Sequence, residues 1–307
     1  MVKHYKNFNI KKLHRESIIL IGNFDGLHLG HQKLFQLARS YKKKYNLKIG
    51  VVNFDPMPKM FFNKKLKNFR LSNIDQKINL LRNLKVDFVI TKKFDKKFSK
   101  IKAENFIIQI LNKKLKAKFI FVSNNFRFGN KREGNVNLLI KFENLCNYKV
   151  IKPEPLIKNE KIISSSLIRN FLERGFLDEA NNFLNRNWTI QGIVKKGRQV
   201  GKKIGFPTCN IDIQDYVLAK PGVYAVKVLK KSSTKYLKGI ANLGYRPTFN
   251  QKKILLEVHL FNFSGNLYNK LLSVEFLKFI RKEKKFKNVN QLSAQIKKDL
   301  NIAKKTK

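Results

Sequence analysis

Two of the chain's five histidines, His28 and His31, stand three residues apart in IGNFDGLHLGHQKL, Ile21 to Leu34. An apolar run precedes them and a helical pattern follows, so the pair falls at a helix N-terminus, where backbone N–H groups and the helix dipole favour an anion. Gly22, Gly26 and Gly30 permit close backbone approach, and both imidazoles can donate to a phosphate lying against the turn. A pair of surface histidines in a glycine-rich turn is the plainer alternative. The succession of strand, glycines and helix weighs against it.

A second constellation lies in GRQVGKKIGFPTCNI, Gly197 to Ile211. Thr208 and Asn210 share one face of a strand because the side-chain period is two. Two neutral oxygens on one face suit a Mg²⁺ shared with nucleotide phosphates. The loop containing Gly201 and Gly205 can cover those phosphates with backbone N–H groups. Taken alone the pattern also fits a hairpin edge. In LEVHLF, Glu257 and His259 take one strand face while Leu256, Val258 and Leu260 take the other, which leaves an acid free of the apolar layer. In ISSSLIRNFLERG, Ser164 is placed as a helix cap with Ser165 and Ser166 on the first turn. Arg169 is four residues after Ser165, so hydroxyls and guanidinium can meet one phosphate. An ordinary capped helix would read the same way.

The elements that must hold these groups change character along the chain. From Ser17 to about Val150, the runs SIILIG, KIGVVNF, VDFVIT, KFIFVS and YKVIKPEP read as strands. Segments with helical spacing separate them, as at Leu34, Leu37, Ala38, Tyr41 and Tyr45. That alternation implies a parallel sheet with ligands at the C-terminal ends of its strands. Beyond Trp188 come WTIQGIV, PTCNIDI, GVYAVKVL, YLKGIANLG, ILLEVHLFNF and LLSVEFLKFI, six strand-like runs without helices between them. They predict a small antiparallel barrel. Leu292, Ile296 and Leu300 mark a closing amphipathic helix. The expected boundary divides residues 1–186 from residues 187–307.

The 307 residues suffice for two domains, and Cys146 and Cys209, far apart and without metal-type spacing, suggest neither a zinc site nor a disulfide framework. No stretch approaches a membrane span and the N-terminus lacks a signal-peptide core, so a soluble, unprocessed cytoplasmic protein is expected. The formal net charge is +46, with lysines dispersed among abundant Asn, Ile and Phe. Dispersal of this kind reads as compositional drift towards A/T-rich codons. Polyanion binding is the alternative, so a basic nucleic-acid-binding protein is the reading of a different class. Neither a specific nucleic acid nor a membrane is expected as partner, and self-association is not predicted.

GNFDGLHLGH resembles the H-x-G-H signature of nucleotidyltransferase-fold enzymes, and its flanks are similar to those of the prokaryotic bifunctional riboflavin kinase/FMN adenylyltransferase (FAD synthetase) family. VVNFDPMPKMFF, FVSNNFRFGNKREGN and ISSSLIRNFLERG resemble further segments of that family in order. So do GKKIGFPTCN, PGVYAVKV, GIANLGYRPTF, LLEVHLFNFSGNLY and FIRKEKKF. Departures are Ser123 for a usual glycine, Ser166 for threonine, Cys209 for alanine, and Met57 at an often polar position.

The resemblance implies a Rossmann-like α/β nucleotidyltransferase domain followed by a six-stranded riboflavin-kinase barrel with a closing helix. It implies riboflavin, FMN and ATP as substrates and Mg²⁺ as the metal. By the same resemblance His28 and His31 serve the adenylyl α-phosphate, with Gly22, Asn23, Phe24, Gly30, Ser164, Ser165, Ser166 and Arg169 around ATP. Asn125, Phe126 and Arg281 fall to the flavin, Thr208 and Asn210 to the metal, and Glu257 to the general base. Phe206, Tyr224 and Tyr245 are candidates for contact with the isoalloxazine ring, with core packing expected of at least one. A monofunctional kinase with an impaired first domain is the runner-up. KKFSK, Lys96 to Lys100, resembles the K-M-S-K-S loop of class I aminoacyl-tRNA synthetases, but it lies too close to the first motif for such an enzyme.

Overall fold

A computed structural model of the chain describes residues 2–197, 201, 204–213, 215–231, 233–247 and 252–306. Two compact units emerge, one made of residues 1–67 and 74–164, the other of residues 68–73 and 165–307. Parts of the expected glycine loop, among them Arg198, Lys202 and Lys203, and Thr248 and Phe249 of GIANLGYRPTF, lie outside the described residues.

The first unit is built on β1 (Lys3–Tyr5), β2 (Ile18–Ile21), β3 (Ile49–Asp55), β4 (Phe88–Lys93) and β5 (Phe119–Phe121). A small hairpin, β6 (Arg127–Phe128) with β7 (Gly134–Asn135), precedes β8 (Lys149–Ile151), and a second hairpin, β9 (Ile157–Lys158) with β10 (Lys161–Ile162), ends the unit. The main sheet runs β1-β4-β3-β2-β5-β8, and every pairing in it is parallel. β1 escapes the sequence reading because three residues, KHY, carry no apolar run. YKVIKPEP contributes only Lys149–Ile151, since Pro153 and Pro155 cannot donate to a ladder.

Apolar side chains alternate to two cores. Ile18, Leu20, Ile49, Val51 and Val89 pack with Phe35 of the helix Leu29–Tyr45 and Leu81 of the helix Ile74–Asn83. On the other face Ile19, Ile21, Val52 and Ile90 pack with Ile107 and Leu111, part of a segment, Phe106–Lys114, wound as a π-helix. Winding proceeds from β2 to β3 and β4, then returns to the other side of β2 at β5. The C-terminal end of β2 therefore sits at the reversal, where parallel sheets open a crevice.

The second unit holds β11 (Thr189–Lys195), β12 (Cys209–Asp212), β13 (Gly222–Lys230), β14 (Tyr236–Pro247), β15 (Lys252–Leu260) and β16 (Leu271–Lys282). They close as an antiparallel barrel in the order β11-β12-β15-β14-β13-β16, followed by the helix Val289–Lys305. The helices Ser165–Arg174 and Leu177–Leu184 belong to this unit, as does the short segment 68–73. Trp188 Nε1 donates to the Leu71 carbonyl at 3.1 Å and its ring packs on Phe276. Arg70 and Val217 are joined by a 2.8 Å backbone bond.

Candidate functional sites

In the first unit, β2 delivers the chain into Gly22 and Asn23, then into Phe24 at φ 47°, in the left-handed region. His28 caps the helix Leu29–Tyr45, its Nδ1 accepting the His31 N–H at 3.4 Å. That bond leaves the proton on Nε2, the tautomer that presents a donor. The two imidazoles stack with centroids 3.7 Å apart. A Cβ at Gly30 would stand 3.2 Å from His28 Nδ1 and 3.4 Å from the Ile163 carbonyl, so glycine there keeps the ring seated. Phe24 is buried and meets the rings of His31 and Phe35. Its side chain is core, and only its backbone is left for a nucleotide.

Burial, then the neighbouring His28, then Lys77 hold the His31 imidazole well below the ordinary histidine range. The ring is therefore neutral near pH 7. Asn23 Oδ1, His31 Nδ1 and Asn53 Nδ2 are buried without a hydrogen-bond partner. Each such atom costs about 1–3 kcal/mol while unmet, so these three, on the turn after β2, the helix that follows it and β3, are groups that a ligand could satisfy.

The remaining sites expected in this half are scattered among different settings. Phe126 is half-buried and stacks on Phe128, centroids 5.4 Å apart. Asn125 is exposed, and its Oδ1 accepts from Ser123 Oγ at 2.9 Å, so the departure at Ser123 ties the loop. Met57 is fully buried, which explains an apolar residue there. KKFSK forms an ordinary turn, Lys96–Ser99, capped by Asp95. The division between units passes between Ser164 and Ser165. Ser165 and Ser166 open the helix Ser165–Arg174. Arg169 is buried, with Nε donating to the Phe69 carbonyl at 2.6 Å and its guanidinium 3.7 Å from the Phe69 ring centroid.

In the second unit, Thr208, Asn210, Glu257, His259, Gly201, Phe206 and Arg281 line one cavity of about 470 Å³. Asn210 faces Glu257 across β12 and β15, and Glu257 faces Asn242 across β15 and β14. Leu256, Val258 and Leu260 are buried on the opposite face, as the alternation requires. His259 Nδ1–H donates to the Pro207 carbonyl at 2.8 Å, fixing the turn before Thr208. A Cβ at Gly197 would overlap the Asn210 amide, and one at Gly201 would overlap the Phe206 carbonyl. Gly205 has φ +83°, which only glycine adopts readily.

A second cavity of about 480 Å³, lined by Val194, Cys209, Leu260, Ser264, Gly265 and Tyr268 among others, also reaches Thr208. Arg281 binds Asp299 of the closing helix, Nη2 to Oδ2 at 2.7 Å, and Asp299 also accepts from Gln295 at 2.8 Å. Tyr224 is buried with its hydroxyl on the Lys220 carbonyl, and Tyr245 is exposed, so of the three aromatic candidates only Phe206 lines the cavity.

A family model described as FAD synthetase matches residues 10–167, and one described as riboflavin kinase matches residues 184–307. Proteins named bifunctional riboflavin kinase/FMN adenylyltransferase match nearly end to end. That of Buchnera aphidicola subsp. Schizaphis graminum is 42% identical, covering 97% of this chain and 96% of the relative. That of Haemophilus influenzae is 40% identical over 96% and 97%, and that of Escherichia coli strain K12 is 36% identical over 95% and 93%.

The chain belongs to the bifunctional riboflavin kinase/FMN adenylyltransferase family. A crystal structure described as a macrolide-efflux protein from Streptococcus pneumoniae matches it with TM-score 0.87 and 26% identity, over 100% of this chain and 99% of that one.

For a member of the riboflavin kinase/FMN adenylyltransferase family, Mg²⁺ and a nucleotide must fit the residues present. Among the described residues no cluster of three or more His, Cys, Asp or Glu side chains would hold a metal by itself. Asn210 Oδ1 is instead a buried oxygen without a partner, in a cavity that Thr208 also lines. A hard cation that takes its remaining oxygens from phosphates and water suits this pair.

Three residues of this family member went unread in the sequence. Asp299 is a single acid in a lysine-rich helix. Gly197 is one glycine among several. Asn53 ends an apolar run, and a polar residue in GVVNF was the one available signal.

Proposed function

We propose that the chain converts riboflavin to FAD in two ATP-dependent steps, with residues 187–307 phosphorylating riboflavin and residues 1–186 adenylylating FMN. The observation that carries the reading is Thr208, which lines both barrel cavities. Riboflavin occupies the cavity that holds Glu257, Phe206 and the apolar Ile240, Leu292 and Ile296. ATP occupies the other, so its γ-phosphate and the ribityl 5′-hydroxyl meet at Thr208 and Asn210.

Glu257 accepts the hydroxyl proton as the oxygen attacks the γ-phosphorus and ADP leaves with the bridging oxygen's electrons. Thr208 and Asn210 would hold Mg²⁺, which when bound neutralises phosphate charge. Asn242 and His259 border Glu257 and help shape its surroundings. In the second step an FMN phosphate oxygen attacks the ATP α-phosphorus and pyrophosphate leaves. His28 Nε2–H and His31 donate to the oxygens on which charge builds, and the helix N-terminus adds its dipole.

Ser164, Ser165 and Ser166 belong to the nucleotide in this reading, and Asn125 and Phe126 to the flavin. Two free cysteines accord with a reducing cytoplasm. Macrolide efflux, the description carried by the streptococcal protein, finds no support in these residues. Their polar groups suit phosphoryl chemistry, and no helix among the described residues is long and apolar enough to cross a membrane.

The test is a double dissociation. Asn210→Ala should stop FMN formation from riboflavin yet leave FAD formation from supplied FMN, and His28→Ala should do the reverse. FAD output indifferent to His28→Ala would favour a monofunctional kinase.

A further inference from the structure

Asn53 belongs to none of the phosphate-handling motifs. Along β3, Ile49 and Val51 face the core that contains Phe24 and Leu27 of the histidine turn, whereas Val52 faces the opposite core. Alternation puts Asn53 on the histidine-turn face. It directly follows Val52, whose carbonyl accepts the Gly22 N–H at 3.1 Å, so it stands one strand away from the turn. Asn53 is 2% exposed, and its Nδ2 has no hydrogen-bond partner. The register sets it opposite Thr91, whose hydroxyl is engaged by His4 Nε2 at 2.9 Å. A buried amide donor on the strand beside the histidine turn selects a partner that accepts hydrogen bonds.

We infer that Asn53 is a substrate contact of the adenylyl-transfer site, its Nδ2–H donating to a phosphoryl oxygen of FMN or ATP held over the histidine turn. The inference rests on the reading of that turn as the FAD-forming site. An apolar residue would serve the fold at this position, and Asn53 is kept polar by what it binds.

The experiment measures FAD formation by full-length Asn53→Leu and Asn53→Asp with FMN and ATP varied independently, and follows riboflavin phosphorylation in the same proteins. In both variants the KM for one of the two substrates rises about tenfold or more, as expected for a lost bond to a charged group, while phosphorylation of riboflavin is unchanged. A rise for FMN assigns the contact to the attacking phosphate, and a rise for ATP assigns it to the triphosphate. Asn53→Leu melts no lower than the parent chain because it removes an unmet donor. Kinetic constants within twofold of the parent in the equally sized Asn53→Asp overturn the inference. So does weakened inhibition by lumiflavin, a flavin ring without the phosphate chain, since the contact would then be to the ring. A parent chain that forms no FAD removes the reading of the turn and this inference with it, whereas unaffected variants of an active parent remove the inference alone.

Discussion

Asn210 and Glu257 are in-register neighbours across β12 and β15, and both line the barrel cavity. In the proposed kinase site the orphaned oxygen of one and the carboxylate of the other would serve a single reacting group from adjacent strands. Glu257→Gln preserves the shape and removes the carboxylate proposed as the base. Riboflavin phosphorylation should fall by about 10²- to 10⁴-fold in kcat, with FAD formation from supplied FMN retained. A kcat unchanged in steady-state assays would assign the proton transfer elsewhere.

His31 gives the first unit a pH signature. Its folded-state pKa lies below the ordinary 6.5, so below pH 6.5 the unfolded chain binds more protons. The stability His31 contributes is full above that pH and declines as pH falls from 6.5 towards the lowered value. A triphosphate at the turn opposes this by favouring the imidazolium. ATP binding should therefore take up a proton and tighten as pH drops. Calorimetry in buffers of different ionisation enthalpy reads the uptake, and His31→Gln should abolish it. Equal uptake in parent and variant would place the phosphates away from His31.

The Arg281–Asp299 bridge ties the closing helix to β16, and Asp299 is 2% exposed. Asp299→Ala leaves a largely buried guanidinium without its partner and should destabilise the second unit by about 3 kcal/mol. The chain's single tryptophan, Trp188, is buried in that unit, so its fluorescence during urea denaturation reports the change. Because Asp299 also lines the cavity, the KM for riboflavin should rise. A denaturation midpoint unmoved by the substitution would show the bridge to be energetically silent.

Arg169 was expected to hold phosphate, and its Nε is committed to the Phe69 carbonyl. Arg169→Lys keeps the charge and loses both that bond and the planar stack. The Trp188 unfolding transition should shift by about 1–2 kcal/mol. An unmoved transition with a raised KM for ATP would return Arg169 to the nucleotide alone.

Strong periodicity made most of the fold legible. Six barrel strands and five sheet strands stand where apolar alternation or apolar runs put them. β1 was invisible because it joins through backbone hydrogen bonds, which leave no side-chain pattern, and the segment 68–73 because its partners, Arg169, Trp188 and Val217 among them, lie about a hundred or more residues away. Thr208, Asn210 and Glu257, expected to act together, line one cavity, a grouping that strand alternation and the motif order made legible. The buried side chains of Phe24 and Tyr224 belong to cores, the role expected of at least one of the three barrel aromatics, because an aromatic in a motif packs a core as readily as it stacks on a ligand. Asn53 and Asp299 were lost for a different reason: their meaning depends on burial, which a single polar letter does not reveal.

One chain is expected to perform both steps in order. Folded protein incubated with riboflavin, ATP and Mg²⁺, sampled over time and separated by chromatography, should show FMN appear first and FAD accumulate after it. Supplied FMN should give FAD without a lag. Folded protein that forms no FMN from riboflavin would rule out the two-step conversion.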